Sequence, residues 1–193
     1  MMSNRIITIS REFGSGGRTI GRMVAERLGI PCYDHELIDK ITEESGLLKT
    51  FVESNAEDIQ GGWFAMITGR DFYGHSLQDD LYLAQAKVIR ELADKESCVI
   101  VGRSADCILA EQGNVLTVFI HASIEKRAER ARTQYGLKID DPESFLKEKD
   151  KRRKAYYQLY CDRKWGATQN YHVALDSGEL GLERCAQIIA SLY

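Results

Sequence analysis

The sequence predicts an α/β protein, a three-layer α/β/α domain in which helices cover both faces of a five-stranded parallel sheet. Three observations lead to this fold class. Strand patterns and helix patterns alternate along the chain. The strand patterns are apolar without polar alternation, as in strands that are buried on both faces. The 193 residues are enough for one domain with a substantial core and a small insertion.

The elements follow from short patterns, taken in chain order. The predicted strands are residues 5–10, a short segment before Asp34, and residues 97–102, 115–120 and 171–176. The predicted helices are residues 19–28, 35–45, 77–95, 104–111 and 123–134, a polar helix after Pro142, and residues 182–192. Gly29 and Pro31 supply the chemistry that ends the first helix. Asp141 is a suitable N-cap for the polar helix, and Pro142 fits its first position.

Bulk composition excludes several classes of protein. The net charge of −3 disfavours a protein devoted to nucleic acid. No apolar stretch approaches the roughly 20 residues that span a bilayer, and the first residues lack a signal-peptide profile. The five cysteines and four histidines are scattered, which predicts free thiols and no metal site built by the protein alone. We therefore expect a cytoplasmic protein with small-molecule ligands, a monomer or homodimer that binds neither nucleic acid nor membrane.

A glycine-rich turn follows the first predicted strand, where ligands bind in a parallel sheet. Gly14, Gly16 and Gly17 allow positive φ and the close approach of phosphate oxygens, and Ser15 lies between them. Successive amides in such a turn converge on an anion, and the helix that follows adds its dipole. The stretch predicts a phosphate-binding loop. The alternative is a plain glycine turn that only links the strand to the helix.

Two residues depart from the pattern G-x-x-x-x-G-K-[ST] when Gly17 is aligned with its second glycine. Glu12 takes the place of the first glycine, and a carboxylate there repels phosphate unless Arg11 or Arg18 pairs with it. Arg18 takes the place of the lysine and keeps its positive charge with a different shape. Thr19 supplies the hydroxyl that completes a Mg²⁺ shell shared with the phosphates.

Four stretches together carry a resemblance to a known family. They are ITISREFGSGGRTIGRMVAERLGIPCYDHELI, VIVGRSADCIL, the charged helix after VFIHAS, and DRKWG with NYHVALDSGELGLE. The chain resembles the cytidylate kinase-like family of P-loop proteins over nearly its whole length. The resemblance implies a P-loop NTPase core at about residues 1–46, 77–134 and 165–193, a substrate-binding insertion at about 47–76 and a helical lid at about 135–164. It also implies transfer of the ATP γ-phosphoryl group to CMP or dCMP, with Mg²⁺.

Arg103 and Asp106 are the candidate residues for the acceptor, because they follow the end of a buried strand. The guanidinium of Arg103 suits a nucleotide monophosphate, with a surface ion pair as the alternative. Asp106 could orient Arg103 or accept from a base, or cap its helix. Asp34 could bind a sugar or base, but helix capping is at least as plausible. Aromatic residues in the insertion either stack on a base or pack the insertion, namely Trp63, Phe64, Phe72 and Tyr73.

The polar helix after Pro142 carries the remaining candidates. It has no apolar residue from position 147 to 154, so we expect it to stand in solvent or to close over a charged ligand. Arg152 and Arg153 are the predicted lid arginines, and Arg127 or Arg130 of the preceding helix would help them. Converging guanidiniums would neutralise charge on a transferring phosphoryl group. The alternative is a solvated face of surface ion pairs.

The sequence therefore favours a nucleoside monophosphate kinase that uses ATP. Arg18, Arg130, Arg152 and Arg153 are its candidate catalytic residues. Two alternatives stay open. One is a regulatory protein that binds a nucleotide without turnover, and the other is a kinase for another small metabolite, because the fold does not determine the acceptor.

Overall fold

The computed structural model describes residues 4–47, 77–137 and 140–193, and all statements below concern these ranges. Their helices and strands alternate as the sequence predicts. The strands are β1 (Ile6–Arg11), β2 (Cys32–Tyr33), β3 (Cys98–Val101), β4 (Val115–His121) and β5 (Val173–Asp176). The helices are α1 (Gly17–Leu28), α2 (His35–Glu44), α3 (Leu77–Lys95), α4 (Ala105–Ile108), α5 (Ile124–Thr133), α6 (Pro142–Tyr160) and α7 (Leu182–Ser191).

The five strands form one parallel sheet in the order β2-β3-β1-β4-β5. The prediction of a five-stranded parallel sheet is confirmed. Strand β1 lies at its centre, and its first five residues are buried. Alternate residues of the strand point to opposite faces, so Ile7 and Ile9 pack on one side and Ile6 on the other. Each face has its own apolar core, as the unbroken apolar strands require.

Helices α1 and α7 cover one face of the sheet. Ile20 and Val24 of α1 and Ile189 of α7 pack against the strands, and all three are fully buried. Gly21 lets α1 approach the sheet closely, because a Cβ there would lie 2.7 Å from Cγ2 of Val101. Ile38 of α2 belongs to the second core, on the opposite face, with buried residues of α3 and α4.

Helix α6 contacts α3 through stacked tyrosines and α5 through an ion pair between Asp150 and Arg127. Its N-cap is Asp141, as predicted, and this carboxylate accepts from the amide of Ser144 at 3.1 Å. The rings of Tyr82 and Tyr160 are stacked at 3.8 Å, and Leu146 is fully buried. The helix therefore has a buried side despite its run of charged residues.

The structure differs from the sequence predictions in the bounds of two elements and in the state of two cysteines. Helix α1 begins at Gly17, two residues earlier than predicted, and the last strand begins later because residues 168–170 form a 3-10 helix. Cys107 and Cys161 form a disulfide, so the prediction that every cysteine is a free thiol is wrong for this pair. They are 54 residues apart in sequence, and only the docking of α6 brings their Cα atoms within 6.1 Å.

The predicted insertion at residues 47–76 lies outside the described residues except for its first position, and so do its aromatic candidates. The described helices include none that is both long and apolar enough to cross a membrane.

Candidate active site

The glycine-rich turn lies between the end of β1 at Arg11 and the start of α1 at Gly17. Gly14 and Gly16 have φ of 80° and 81°, in the left-handed region that favours glycine. Neither position has room for a side chain. A Cβ on Gly14 would lie 2.9 Å from the carbonyl oxygen of Arg127, and a Cβ on Gly16 would collide with Leu182. The turn therefore requires glycine at both positions.

The carbonyl oxygens of residues 11–15 each accept a hydrogen bond from a side chain of the protein. Arg153, Arg127 and Arg130 donate to the carbonyls of residues 11, 13 and 14 at 2.9, 3.2 and 2.8 Å. Hydroxyls of Ser15 and Ser177 donate to the carbonyls of residues 12 and 15. Some amides of the turn are also engaged, since that of Phe13 donates to Asp150 at 2.7 Å and that of Ser15 to the carbonyl of Glu12 at 3.3 Å.

The amides of Gly14 and Gly16 have no acceptor among the described residues. The first amides of α1, beginning at Gly17, lack partners within their own helix, as at every helix start. These donors border a cavity of about 300 Å³. Amides without acceptors and the positive end of a helix are features that suit an anion such as phosphate.

Glu12 is among the residues that line this cavity, and its carboxylate has partners within the protein. Its Oε2 accepts from the amide of Ala122 at 3.2 Å and lies 3.5 Å from Nε of the buried Arg127. Burial raises the pKa of Glu12 above its usual range, and the Arg127 charge partly opposes that shift. The partners are therefore Arg127 and Ala122 rather than Arg11 or Arg18, the two partners considered from sequence.

Arg18 points toward the start of α2. Its Nε donates to Oδ2 of Asp34 at 2.6 Å, and its Nη1 donates to Oε1 of Glu36 at 2.7 Å. The hydrogen bonds to Glu36 raise the pKa of Arg18, although its side chain remains 36% exposed. Arg18 lies at the rim of the glycine-loop cavity, but its donors are engaged with two carboxylates.

Asp34 is the N-cap of α2 and also an ion-pair partner. Its Oδ1 accepts from the amide of Leu37 at 3.2 Å, and its Oδ2 accepts from Arg18 and Arg22. Burial alone acts to raise the pKa of Asp34, but these donors hold it below its ordinary value. The capping interpretation is confirmed, and the carboxylate is committed to protein partners.

A second cavity, of about 280 Å³, lies at the carboxyl end of β3. Arg103 lines it, with an unusual left-handed backbone at φ 53°. Its Nε donates to Oδ1 of Asp39 at 3.0 Å, and Gln85 donates to the same oxygen at 3.0 Å. The side chain is thereby fixed at the cavity wall, where its remaining donors can meet an anion.

Asp106 is buried beneath this cavity and does not orient Arg103. Its carboxylate accepts from Oη of Tyr157 at 2.7 Å and from Oγ of Ser10 at 3.3 Å. Burial raises the pKa of Asp106, and the two hydroxyl donors oppose that rise. The structure thus places Asp106 as a link between the end of β1 and helix α6.

The two predicted lid arginines lie in different environments. Arg153 is largely enclosed, and its guanidinium lies 5.3 Å from the centre of the Phe13 ring. Burial lowers the pKa of Arg153. Arg152 is 72% exposed at the edge of the second cavity and pairs with Glu148 at 2.9 Å. Arg153 therefore lines both cavities, whereas Arg152 lines the second one with an exposed side chain.

Arg11, His35 and Arg153 line both cavities. Burial, followed by the charges of Arg153 and Arg103, lowers the pKa of Arg11 to about 9. His35 has a buried Nδ1 without a partner among the described residues, and burial, Arg11 and Arg103 lower its pKa. From the sequence, Arg11 was considered only as a partner of Glu12, and His35 was counted only among the scattered histidines. The position of Arg11 at the carboxyl end of β1 could have indicated that it contacts a ligand, because ligands bind at that edge of a parallel sheet.

The cavity on the glycine loop also offers an oxygen for a metal ion. Thr19 lies in its wall, and its hydroxyl has no hydrogen-bond partner among the described residues. Mg²⁺ in proteins takes few protein ligands and fills its shell with phosphate and water. The residues present thus fit Mg²⁺ bound together with nucleotide phosphates.

The parallel sheet, the glycine loop at the end of its central strand and the adjoining cavities define an α/β protein with the fold of P-loop kinases. The chain belongs to the cytidylate kinase-like family, whose sequence model matches residues 6–179. No curated protein shows significant similarity to the chain.

Among solved structures, an uncharacterized protein from Eubacterium ventriosum ATCC 27560 is 27% identical, with a TM-score of 0.75 and 98% of each chain covered. A shikimate kinase from Acinetobacter baumannii, in complex with shikimate, is 18% identical with a TM-score of 0.54; the match covers 99% of this chain and 93% of that one. A gluconokinase from Sinorhizobium meliloti 1021 is 19% identical with a TM-score of 0.53, covering 97% and 93%. At these identities the two kinases bear on the fold alone.

Proposed function

We propose that the protein transfers the γ-phosphoryl group of ATP to a nucleoside monophosphate, with CMP and dCMP as the first acceptors to test. One observation carries the proposal. Two cavities, one on the glycine loop and one at Arg103, adjoin through Arg11, His35 and Arg153. Transfer from ATP to a nucleoside monophosphate brings two anionic substrates side by side, and cations between them offset their repulsion.

The donor nucleotide takes the glycine-loop cavity in this proposal. The amides of Gly14, Gly16 and the first turn of α1 donate to phosphate oxygens, and the Thr19 hydroxyl holds Mg²⁺. The metal ion, when bound, neutralises charge on the phosphates. Arg130 acts by positioning, since its bond to the carbonyl of Gly14 keeps the loop amides directed into the cavity.

The acceptor takes the cavity at the end of β3. Arg103 binds its phosphate, and Arg153 lies between the two substrates. A phosphate oxygen of the acceptor is already ionised at neutral pH, so the attack on the γ-phosphorus needs no strong general base. The residues of α6 enclose the site and limit access of water, which would otherwise compete as nucleophile. The division into core, insertion and lid is part of this proposal.

A kinase for a different small anionic metabolite is the second candidate. The described lining of the second cavity consists of guanidinium, hydroxyl and aromatic groups that suit a phosphate or a carboxylate alike. The named neighbours include kinases of shikimate and gluconate with the same fold. The acceptor therefore has to be found by direct comparison.

The test is a screen of acceptors with ATP and Mg²⁺, read by chromatography of the products. The set contains the common nucleoside monophosphates in ribose and deoxyribose forms, together with shikimate and gluconate. ADP formed with an equal amount of phosphorylated CMP or dCMP supports the first candidate, and turnover of another acceptor supports the second. ATP binding by calorimetry without turnover of any acceptor would indicate a regulatory nucleotide-binding protein instead.

A further inference from the structure

The side chain of Arg11 occupies the space that a side chain at position 17 would need. A Cβ placed on Gly17 would lie 2.7 Å from Cβ and 2.8 Å from Cγ of Arg11. These atoms are close to the Arg11 backbone and have little freedom to move. Arg11 at the end of β1 and a side chain at the first position of α1 therefore exclude each other.

The glycine immediately before α1 is Gly16. It is the N-cap of the helix and has a left-handed backbone, whereas Gly17 is the first helical residue. In the G-x-x-x-x-G-K-[ST] motif the cation comes directly after the glycine that ends the loop. With Gly16 in that place, rather than Gly17 as in the alignment made from sequence, the position of the cation is Gly17, which has no side chain. Arg18 then takes the position of the motif's Ser or Thr, and the role of Thr19 rests on its place in the cavity wall.

The guanidinium of Arg11 lies at the junction of the two cavities. It packs on Gly102 at the end of β3, where a Cβ would lie 2.7 Å from Cζ of Arg11. Both cavities include Arg11 in their walls. Within the described part of the chain, no carboxylate pairs with its guanidinium, whereas Arg103 pairs with Asp39. Burial in a cationic surrounding lowers its pKa to about 9, so it remains charged at neutral pH.

Arg18 has the opposite surroundings. Its guanidinium is held by Asp34 and Glu36 at the start of α2. A cation neutralised by two carboxylates has little net field to offer a phosphate, and releasing it would leave Asp34, which is 7% exposed, with fewer donors.

We propose that Arg11, supplied from the end of the central strand, is the cation that contacts the β- and γ-phosphates of the donor in place of a lysine at the helix start. This inference rests on the proposed function. Gly17 and Gly102 are glycines because the Arg11 side chain lies across both of them. Arg18 is a positioning residue that fixes the loop against α2.

Matched variants Arg11→Met and Arg18→Met test the assignment. We expect Arg11→Met to lower kcat by about 10²- to 10³-fold and to weaken binding of ATP and of inorganic triphosphate by about tenfold or more. Arg18→Met should lower both by less than Arg11→Met does. Arg27→Met, which removes an arginine of the same helix that pairs with Glu183 away from both cavities, should change both by less than about threefold. Circular dichroism and the unfolding midpoint check that each variant folds. If Arg11→Met does not fold, Arg11→Lys takes its place, with a smaller loss in the same direction.

A second test moves the positive charge from position 11 to position 17. A gain of activity in that double variant cannot result from loss of structure. Arg11→Gly combined with Gly17→Lys removes the obstructing side chain and places a cation at the helix start. The matched control is Arg11→Gly combined with Gly17→Ala, which has the same free space and no charge. We expect the lysine variant to exceed the alanine variant by about tenfold or more in kcat.

The outcomes separate this inference from the proposed function. Full activity in Arg11→Met with loss in Arg18→Met would overturn the role of Arg11 and leave the kinase proposal intact. Equal activity of the two double variants would also count against it. A wild-type protein that binds neither ATP nor inorganic triphosphate would overturn both.

Discussion

Asp150 accepts a hydrogen bond from the main-chain amide of Phe13 at 2.7 Å, and its other carboxylate oxygen pairs with Arg127. Helix α6 is thus joined to the glycine loop and to α5 through one carboxylate. Arg127 is only 5% exposed and also donates to the carbonyl of Phe13. The Asp150 carboxylate of α6 therefore holds the glycine loop in place directly.

Removing this carboxylate should destabilise the protein. Asp150→Ala leaves the buried Arg127 without its closest counter-charge, which costs about 3 kcal/mol in the free energy of unfolding. Urea denaturation monitored by circular dichroism measures the change. Glu148→Ala on the same helix is the control, because Glu148 pairs with Arg152 in solvent and should contribute little. Equal effects of the two substitutions would contradict the role given to Asp150.

Substitution of Gly16 should weaken the binding of ATP at the glycine loop. In Gly16→Ala the new Cβ meets Leu182 and the residue must keep φ near 81°, so the loop distorts. We expect ATP affinity to fall by about tenfold or more, equivalent to 1.4 kcal/mol. Gly29→Ala is the control, since Gly29 is also left-handed but has open space around its Cα. That variant should lose about 1 kcal/mol of stability and keep its ATP affinity, as calorimetry can show.

Arg103 and Arg152 both line the second cavity, yet they should differ in importance. Arg103→Met removes donors that are fixed by Asp39 at the cavity wall, so the acceptor KM should rise by about 10- to 100-fold. Arg152→Met removes an exposed guanidinium that pairs with Glu148, and KM should change by less than about threefold. Steady-state kinetics with varied acceptor at saturating ATP compares them. A larger KM effect for Arg152 would place the acceptor at the outer edge of the cavity.

The buried Asp106 should leave a signature in the pH dependence of stability. Burial raises the pKa of Asp106 above its ordinary value of 3.8, so the folded state holds this proton more tightly than the unfolded chain does. Protonated Asp106 therefore contributes to the free energy of unfolding, and this contribution is lost as pH rises from 3.8 through the pKa of Asp106 in the folded state. The free energy of unfolding of wild type relative to Asp106→Asn should fall as pH rises over that interval, and urea midpoints measure it. A difference that is independent of pH would mean that Ser10 and Tyr157 fully stabilise the ionised carboxylate.

The parallel sheet, the chain order of helices and strands and the position of the glycine loop could be predicted from the sequence. Apolar strand patterns, the Gly29 stop and the Asp34 and Asp141 caps are local signals, and each acts through residues that are close in the chain. The loop could be located because its glycines immediately follow the first strand, which in a parallel sheet leads to the ligand edge.

Which charged side chains face the two cavities could not be predicted, because it depends on how distant elements pack. Arg18 and Arg11 are both arginines beside the same loop, but Asp34 and Glu36 engage one of them and Gly17 and Gly102 make room for the other. These partners come from separate strands and helices, so spacing along the chain could not reveal them. Electrostatic energy depends on distance and burial in space, and for residues far apart in sequence these are set by packing.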